Sequence, residues 1–238
     1  MKYLPCQQGT PEWYAARAGR ITASQFATAI SVLSRKSGDK GPGDPTDASD
    51  KYAAEVAIER ISGQMWGEPI KPWVLERGKR LEPHARLAYE RKTGNIAQEA
   101  GVCITDDGLF GYSTDGMVNP QWSSVEHLAS CEGLIEVKCP VDGLKVLNIW
   151  RTGDIAEYFE QMQGGMWITG AQWCDFIMYV PELEASGRDL FVQRVTRDDA
   201  FIDAMAKKLV DFARRVDQYA VLLGKPANDP AWPFPKAA

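Results

Sequence analysis

Apolar residues recur at steps of three and four through Phe201, Met205, Leu209, Phe212, Val216 and Tyr219, with Asp, Lys and Arg filling the positions between them. That period predicts a long amphipathic helix whose stripe faces a core. The same spacing predicts helices over 52–61, 73–91 and 154–169; in the second, Leu75, Leu81, Ala85 and Tyr89 recur and Gly94-Asn95 supplies the stop. Further upstream, Thr22 reads as an N-cap with Gln25 as its capping-box partner, and Phe26, Ile30 and Leu33 form an apolar face, so a helix is expected to begin near Ala23.

Strand signals fall between these helices. Short β-rich runs at 102–105, 109–112 and 134–139 are bounded by Gly or Asp-Gly turns and predict neighbouring antiparallel strands; 173–180 and 190–195 predict two more. The order is mixed α/β, with a central mixed β-sheet flanked by helices and one domain across residues 1–238. Residues 34–50 hold no large apolar side chain and read as a mobile surface loop. Arg35, Lys36 and Lys40 are either solvated there or within reach of a polyanion. From 225 onward the chain is proline-rich and expected to be extended.

Composition narrows the class. With 45% hydrophobic and 25% charged residues the chain can build a core, which excludes a disordered polypeptide. No run approaches the ~20 apolar residues of a spanning helix, and the first ten residues contain no apolar leader segment, so a cytoplasmic location is expected. Five scattered cysteines without CxxC pairing suit free thiols in a reducing compartment. Two histidines, His84 and His127, are too few and too far apart for a zinc site or a Ser-His-Asp arrangement. The net charge of −5, from 27 Lys+Arg against 32 Asp+Glu, argues against indiscriminate coating of nucleic acid but leaves room for a locally basic groove.

The sharpest chemical signal is Leu134-Ile135-Glu136-Val137-Lys138-Cys139-Pro140. In a strand, Leu134, Glu136 and Lys138 share one face and Ile135, Val137 and Cys139 the other, so a carboxylate and an ammonium stand side by side. Upstream, Ser113-Thr114-Asp115-Gly116 puts a second acid at a turn leaving a strand. One Asp, one Glu and a backbone carbonyl make an open oxygen site for a hard cation such as Mg²⁺, and a nearby lysine can orient or deprotonate a water. The alternative for Glu136 and Lys138 is an ordinary same-face ion pair.

These residues resemble the PD-(D/E)xK nuclease superfamily, and more closely the phage lambda exonuclease family of ring-shaped 5′-to-3′ DNA exonucleases. Four stretches carry the closer resemblance, in the family's order. They are Glu12 to Arg17 with Gly19 to Ser24 (EWYAAR, GRITAS), Gly78 to Arg86 (GKRLEPHAR), the pair STDG and EVKCP just described, and Tyr158 to Gln163 leading to Met166-Trp167. The family commonly carries proline before the motif aspartate, where this chain has Thr114.

The resemblance implies a restriction-endonuclease-like fold and a set of roles. Asp115 and Glu136 would bind metal with the Val137 carbonyl, and Glu82 would join from its helix. Lys138 would hold the attacking water, with Gln161 nearby on the helical face of Tyr158. For Glu82 the alternative is an i,i+4 pair with Arg86. Arg17 and Ser24 would form a pocket for the 5′-phosphate, the alternative being capping by Thr22 and Ser24 with Arg17 as surface charge. Trp13 would serve as a core anchor or as a base-stacking wedge. Asp106 or Asp107 falls near another acid of the family pattern.

The activity implied is Mg²⁺-dependent, ATP-independent digestion of one strand of linear duplex DNA from 5′-phosphorylated ends. Two ions are expected, with Mn²⁺ as the alternative metal. The products would be 5′-mononucleotides and a 3′ overhang, which a single-strand annealing protein would take up in phage-type recombination. A homotrimeric ring is implied as well. The competing readings are an endonuclease of the same superfamily and a non-catalytic DNA-end binding module.

Overall fold

The structure, a computed structural model, describes residues 1–67, 72–124 and 127–224. The proline-rich tail expected from 225 lies outside the described residues. In chain order the elements are β1 (Lys2–Leu4), α1 (Pro11–Arg17), β2 (Ile21–Thr22), α2 (Phe26–Ala29), α3 (Asp47–Ser62), α4 (Pro72–Thr93), β3 (Ala97–Gln98), β4 (Val102–Ile104) and β5 (Phe110–Ser113). There follow β6 (Gly116–Val118), β7 (Gln121–Ser124), β8 (His127–Ser130), β9 (Gly133–Lys138), α5 (Gly143–Thr152), α6 (Phe159–Thr169), β10 (Trp173–Tyr179), β11 (Leu190–Thr196) and α7 (Asp199–Leu223).

The expected single central sheet is two principal sheets, both mixed. One has the order β11-β10-β9-β6-β3, with β10 parallel to β9 and the other pairings antiparallel. The other has the order β1-β4-β5-β2, with β2 parallel to β5. Strands β7 and β8 form a separate hairpin. The runs at 102–105 and 109–112 do pair antiparallel, but 134–139 belongs to the other sheet.

Helices cover the five-stranded sheet from both sides. Helix α4 lays Ala85 and Tyr89 against Ile135, Val137 and Ile177. On the opposite face, Met162 and Met166 of α6 join Leu134, Phe176, Phe110 and Tyr112 in the main core, which the apolar stripe of α7 closes with Met205, Leu209, Phe212 and Val216. The alternation expected along β9 is therefore realised: Leu134 faces α6, while Ile135 and Val137 face α4.

Three local expectations are revised. The helix expected near Ala23 is a 3₁₀ turn, Ala23–Gln25, followed by an α2 that stops at Ala29 and does not reach Leu33. Thr22 stands at its N-cap but makes no capping bond with its side chain. The chain leaves because the Ser31 hydroxyl bonds that of Thr46 at 2.6 Å and Val32 pairs with Pro45, an exchange that beats a continuing helix. The helix expected over 154–169 begins with a 3₁₀ turn, Ala156–Tyr158, and becomes α-helical at Phe159. Of the loop expected over 34–50, residues 47–50 are the first turn of α3, capped by Thr46 Oγ1 accepting from Ser49 N–H at 3.1 Å. Lys40 bridges Asp47 (2.7 Å) and Asp50 (2.8 Å) across that turn.

Candidate active site

The chain changes sheets at one point that matters for chemistry. Strand β5 ends in the four-stranded sheet at Ser113, β6 begins in the five-stranded sheet at Gly116, and Thr114 and Asp115 make the crossing. Thr114 is buried and fixes the turn through its hydroxyl, which donates to Gly116 O (2.8 Å) and accepts from Gly116 N–H (3.1 Å). Gly116 allows a close approach, because a Cβ there would meet Ile135 Cδ1 at 2.9 Å and Ala97 Cβ at 3.2 Å and force them to shift. That close approach lets Asp115 Oδ2 accept from the Val137 N–H at 2.7 Å, locking the aspartate onto β9.

On β9, Glu136 is almost fully buried, at 2% exposure. Its Oε1 accepts from Lys138 Nζ at 2.6 Å and from Gln161 Nε2 at 2.6 Å, and its Oε2 faces the Tyr112 hydroxyl at 3.5 Å. Gln161 also turns its own Oε1 to Lys138 Nζ at 3.4 Å, closing a triangle between strand β9 and helix α6. Tyr158 stands beside it: its ring stacks on Phe176 and lies 5.2 Å from Lys138 Nζ and 4.8 Å from Lys145 Nζ. Glu82 approaches from α4 and pairs with Arg86 at 3.1 Å; Arg86 reaches Glu99 at 3.7 Å as well.

The electrostatics show three acids sharing one site. Burial, then the charges of Glu136 and Glu82, push the Asp115 carboxyl well above the usual carboxylate range, against the pull of Lys138. Burial also raises Glu82; Glu99 and Glu136 raise it further, while Arg86 pulls it down. Burial would lower the Lys138 ammonium, but Glu136 and Asp115 outweigh it and hold it above its ordinary value. Glu82 therefore makes its i,i+4 pair with Arg86 and also adds to the field at Asp115.

These residues are hard oxygen donors with more negative charge than Lys138 and Arg86 neutralise, which is the donor set a divalent cation satisfies. Among the described residues, no three His, Cys, Asp or Glu side chains are already gathered at a metal-holding distance. Glu136 Oε1 is engaged by Lys138 and Gln161 instead.

The second group of expected residues adjoins the first. Ser113, two residues before Asp115, accepts from Arg17 Nη1 at 2.9 Å and from Trp13 Nε1 at 3.0 Å, and the Arg17 guanidinium lies 4.4 Å from the Trp13 ring centroid. Trp13 is half-buried against Ala16, Val102 and Ile104, a position that anchors α1 and supports Arg17. Burial lowers the Arg17 pKa, and its buried Nε has no partner. Ser24 is exposed and lies 3.4 Å from the Thr22 hydroxyl. A cavity of about 360 Å³ opens here, lined by Arg17, Arg20, Ser24, Tyr52, Glu59 and Trp66 among others.

Ser113 and Thr114 were read from the sequence only as neighbours of the motif acid, and Tyr112 only as the end of a strand; their side-chain contacts with Arg17, Trp13, Gly116 and Glu136 were not anticipated. Asp106 and Asp107 are elsewhere. Asp106 pairs with the N-terminal amine at 2.6 Å, and Asp107 shapes the β4–β5 turn by accepting from Thr105 Oγ1 (2.5 Å) and Leu109 N–H (3.0 Å).

A mixed sheet with an aspartate at a strand end, a Glu-x-Lys strand beside it and a helix on each face defines the PD-(D/E)xK nuclease fold class. Within it, the chain belongs to the YqaJ-like viral recombinase family, whose domain model matches residues 12–172. The structure is similar to that of an alkaline exonuclease from Laribacter hongkongensis (LHK-Exo), with 32% identity, a TM-score of 0.73, and coverage of 90% of this chain and 96% of that one. The same enzyme in complex with dAMP matches at 33% identity with the same TM-score, 0.73, and the same 90% and 96% coverage. A phage-related exonuclease from Haemophilus somnus 129PT, 18% identical over 86% of this chain and 96% of its own, shares the fold with a TM-score of 0.63. No curated protein matches the chain. Among the described residues, no helix is long and apolar enough to cross a membrane.

Proposed function

We propose that this chain is a Mg²⁺-dependent, ATP-independent 5′-to-3′ exonuclease that digests one strand of linear duplex DNA to 5′-mononucleotides and leaves a 3′ overhang for recombination by strand annealing. The observation that carries this reading is the convergence of Asp115, Glu136, Lys138 and Gln161 at β9, with Arg17 held beside them by Ser113, two residues before Asp115. Family membership and the likeness to an alkaline exonuclease support it.

Asp115, Glu136, the Val137 carbonyl and Glu82 are the groups that would hold two Mg²⁺ ions, or Mn²⁺ in their place. Such ions supply Lewis-acid polarisation of the phosphoryl oxygens and a more acidic water. The chain's own residues supply position. Lys138, kept charged by its acidic neighbours, donates from Nζ to the attacking water, and Gln161 fixes both Lys138 and Glu136. Water oxygen adds to phosphorus, the P–O3′ bond breaks, and the terminal residue departs as a nucleoside 5′-monophosphate. Arg17, Ser24 and Trp13 set the register by seating the 5′-phosphate so that the next phosphodiester lies over the acids; Tyr158 lines the way beside Lys138.

In this reading a homotrimeric ring encloses the duplex and a single-strand annealing protein receives the overhang in the bacterial cytoplasm. The test is digestion of linear duplex carrying 5′-phosphate or 5′-hydroxyl ends, beside closed circles, with Mg²⁺ or EDTA. Loss of only the 5′-phosphorylated linear strand is expected, with Lys138→Ala slower by 10³-fold or more. Cleavage of circles would replace the reading with an endonuclease, and metal-independent end binding without cleavage would replace it with a binding module.

A further inference from the structure

The cavity beside Arg17 has a lining residue that phosphate recognition does not use: Trp66, which stays 56% exposed. Its backbone is not loose. Glu59, a buried side chain of α3, accepts from Trp66 N–H at 2.9 Å through Oε1 and from Gly19 N–H at 2.9 Å through Oε2.

One carboxylate therefore staples the Trp66 segment to the turn between Arg17 and Arg20. Arg60, the next residue, reinforces that turn by donating from Nε to Gly19 O at 2.9 Å. Gly19 sits at φ +72°, and a Cβ there would press on Arg60 Cγ at 3.0 Å, so the turn is built for close packing against α3. The outcome is one cavity lined by Arg17, Arg20 and Ser24 and, with them, by the exposed Trp66. The buried Arg20 Nε, like that of Arg17, has no partner.

Cationic side chains that share a cavity with an exposed indole are the chemistry that recognises a nucleotide through both its phosphate and its base. We propose that Trp66 is the stacking platform for the 5′-terminal nucleobase of the strand whose phosphate is held by Arg17 and Ser24. This deepens the proposed exonuclease reading and rests on it. The pocket then grips the terminal nucleotide as a unit, and the indole rewards a stacked base of any identity, since every base offers a π-face.

The test compares initial digestion rates on 5′-phosphorylated duplexes whose terminal nucleotide carries a base or is a tetrahydrofuran abasic analogue, for wild type, Trp66→Phe and Trp66→Ala. A 5′-hydroxyl duplex with a normal terminal base is the third substrate. Wild type is expected to show a KM about tenfold higher on the abasic end, Trp66→Ala to show that higher KM on both ends, and Trp66→Phe to recover most of the difference. Circular dichroism of each variant separates lost contact from lost fold. Equal KM values for wild type on abasic and base-bearing ends would overturn the platform, as would a discrimination that Trp66→Ala retains. A wild type indifferent to the 5′-phosphate would instead defeat the end-pocket reading, a failure visible without any Trp66 variant.

Discussion

At the scale of single residues, the site concentrates like charge where the fold would be safer without it. Asp115 and Glu82 both have raised carboxyl pKa values, and burial is the leading cause in each. A carboxyl whose folded-state pKa lies above its unfolded value stabilises the fold fully below the unfolded value, and that contribution is lost as pH rises through the folded one. In EDTA, thermal stability is therefore expected to fall as pH climbs from the ordinary carboxylate range towards the raised pKa. Asp115→Asn keeps an oxygen for the Val137 N–H and removes the charge, so it is expected to gain about 1–2 kcal/mol at neutral pH while losing cleavage. Melting curves in EDTA check the first half and digestion of linear duplex with Mg²⁺ the second. A variant less stable than wild type in EDTA at every pH would show that the acids do not repel as described.

The legible part of this site was the strand pattern: Leu134 to Cys139 states its two faces in alternation, and the structure puts Leu134 and Glu136 towards α6 and Ile135 and Val137 towards α4. What the sequence concealed was mediated by short polar side chains. Ser113 reaches back 96 residues to Arg17, beside Trp13, and Glu59 reaches back 40 residues to Gly19 while also holding Trp66. Neither a lone serine nor a helical glutamate carries a periodic signal.

At the scale of elements, long runs were readable and short ones were not. Helix α7 and strands β10 and β11 repeat their pattern over enough positions to declare a period, whereas β1, β3 and β6 have three residues or fewer and α1 has only seven. Helix α4 illustrates how an element is held where chemistry needs it. Pro83 sits inside it, next to Glu82, and gives up one backbone hydrogen bond. Side chains further along secure the helix: Tyr89 OH donates to Asp175 Oδ2 at 2.7 Å, and Arg194 forks onto the same carboxylate at 2.8 and 2.8 Å. Tyr89→Phe is expected to cost about 1–2 kcal/mol, because Asp175 is buried and loses one of its donors. Denaturant titration would measure it. Activity at temperatures well below the transition should fall little, since Arg194 still holds Asp175.

At the scale of the whole molecule, an acidic chain of net charge −5 is proposed to act on a polyanion. Lys and Arg must then face the substrate and acids face away, and association should weaken with salt in proportion to the phosphates contacted. If three copies enclose the duplex, light scattering should give three times the mass of 26.4 kDa, and cleavage of long duplexes should lose processivity as NaCl rises. A monomer mass at concentrations where the enzyme is active would remove the ring from the proposal.

The crossing at Thr114 and Asp115 has a mechanical meaning. One proposed metal ligand rides on the seam between two sheets, while the other lies within a single sheet, anchored by strands on either side. A slip of the β1-β4-β5-β2 sheet against its neighbour is expected to load first the Thr114 turn and the Val137 N–H bond to Asp115, the contacts that set the spacing between the two acids. The proposed catalytic centre is thereby expected to act as a strain gauge for the molecule. Loosening of the peripheral sheet by heat, by denaturant or by a cavity around Phe110 will silence the enzyme while most of its secondary structure is still intact.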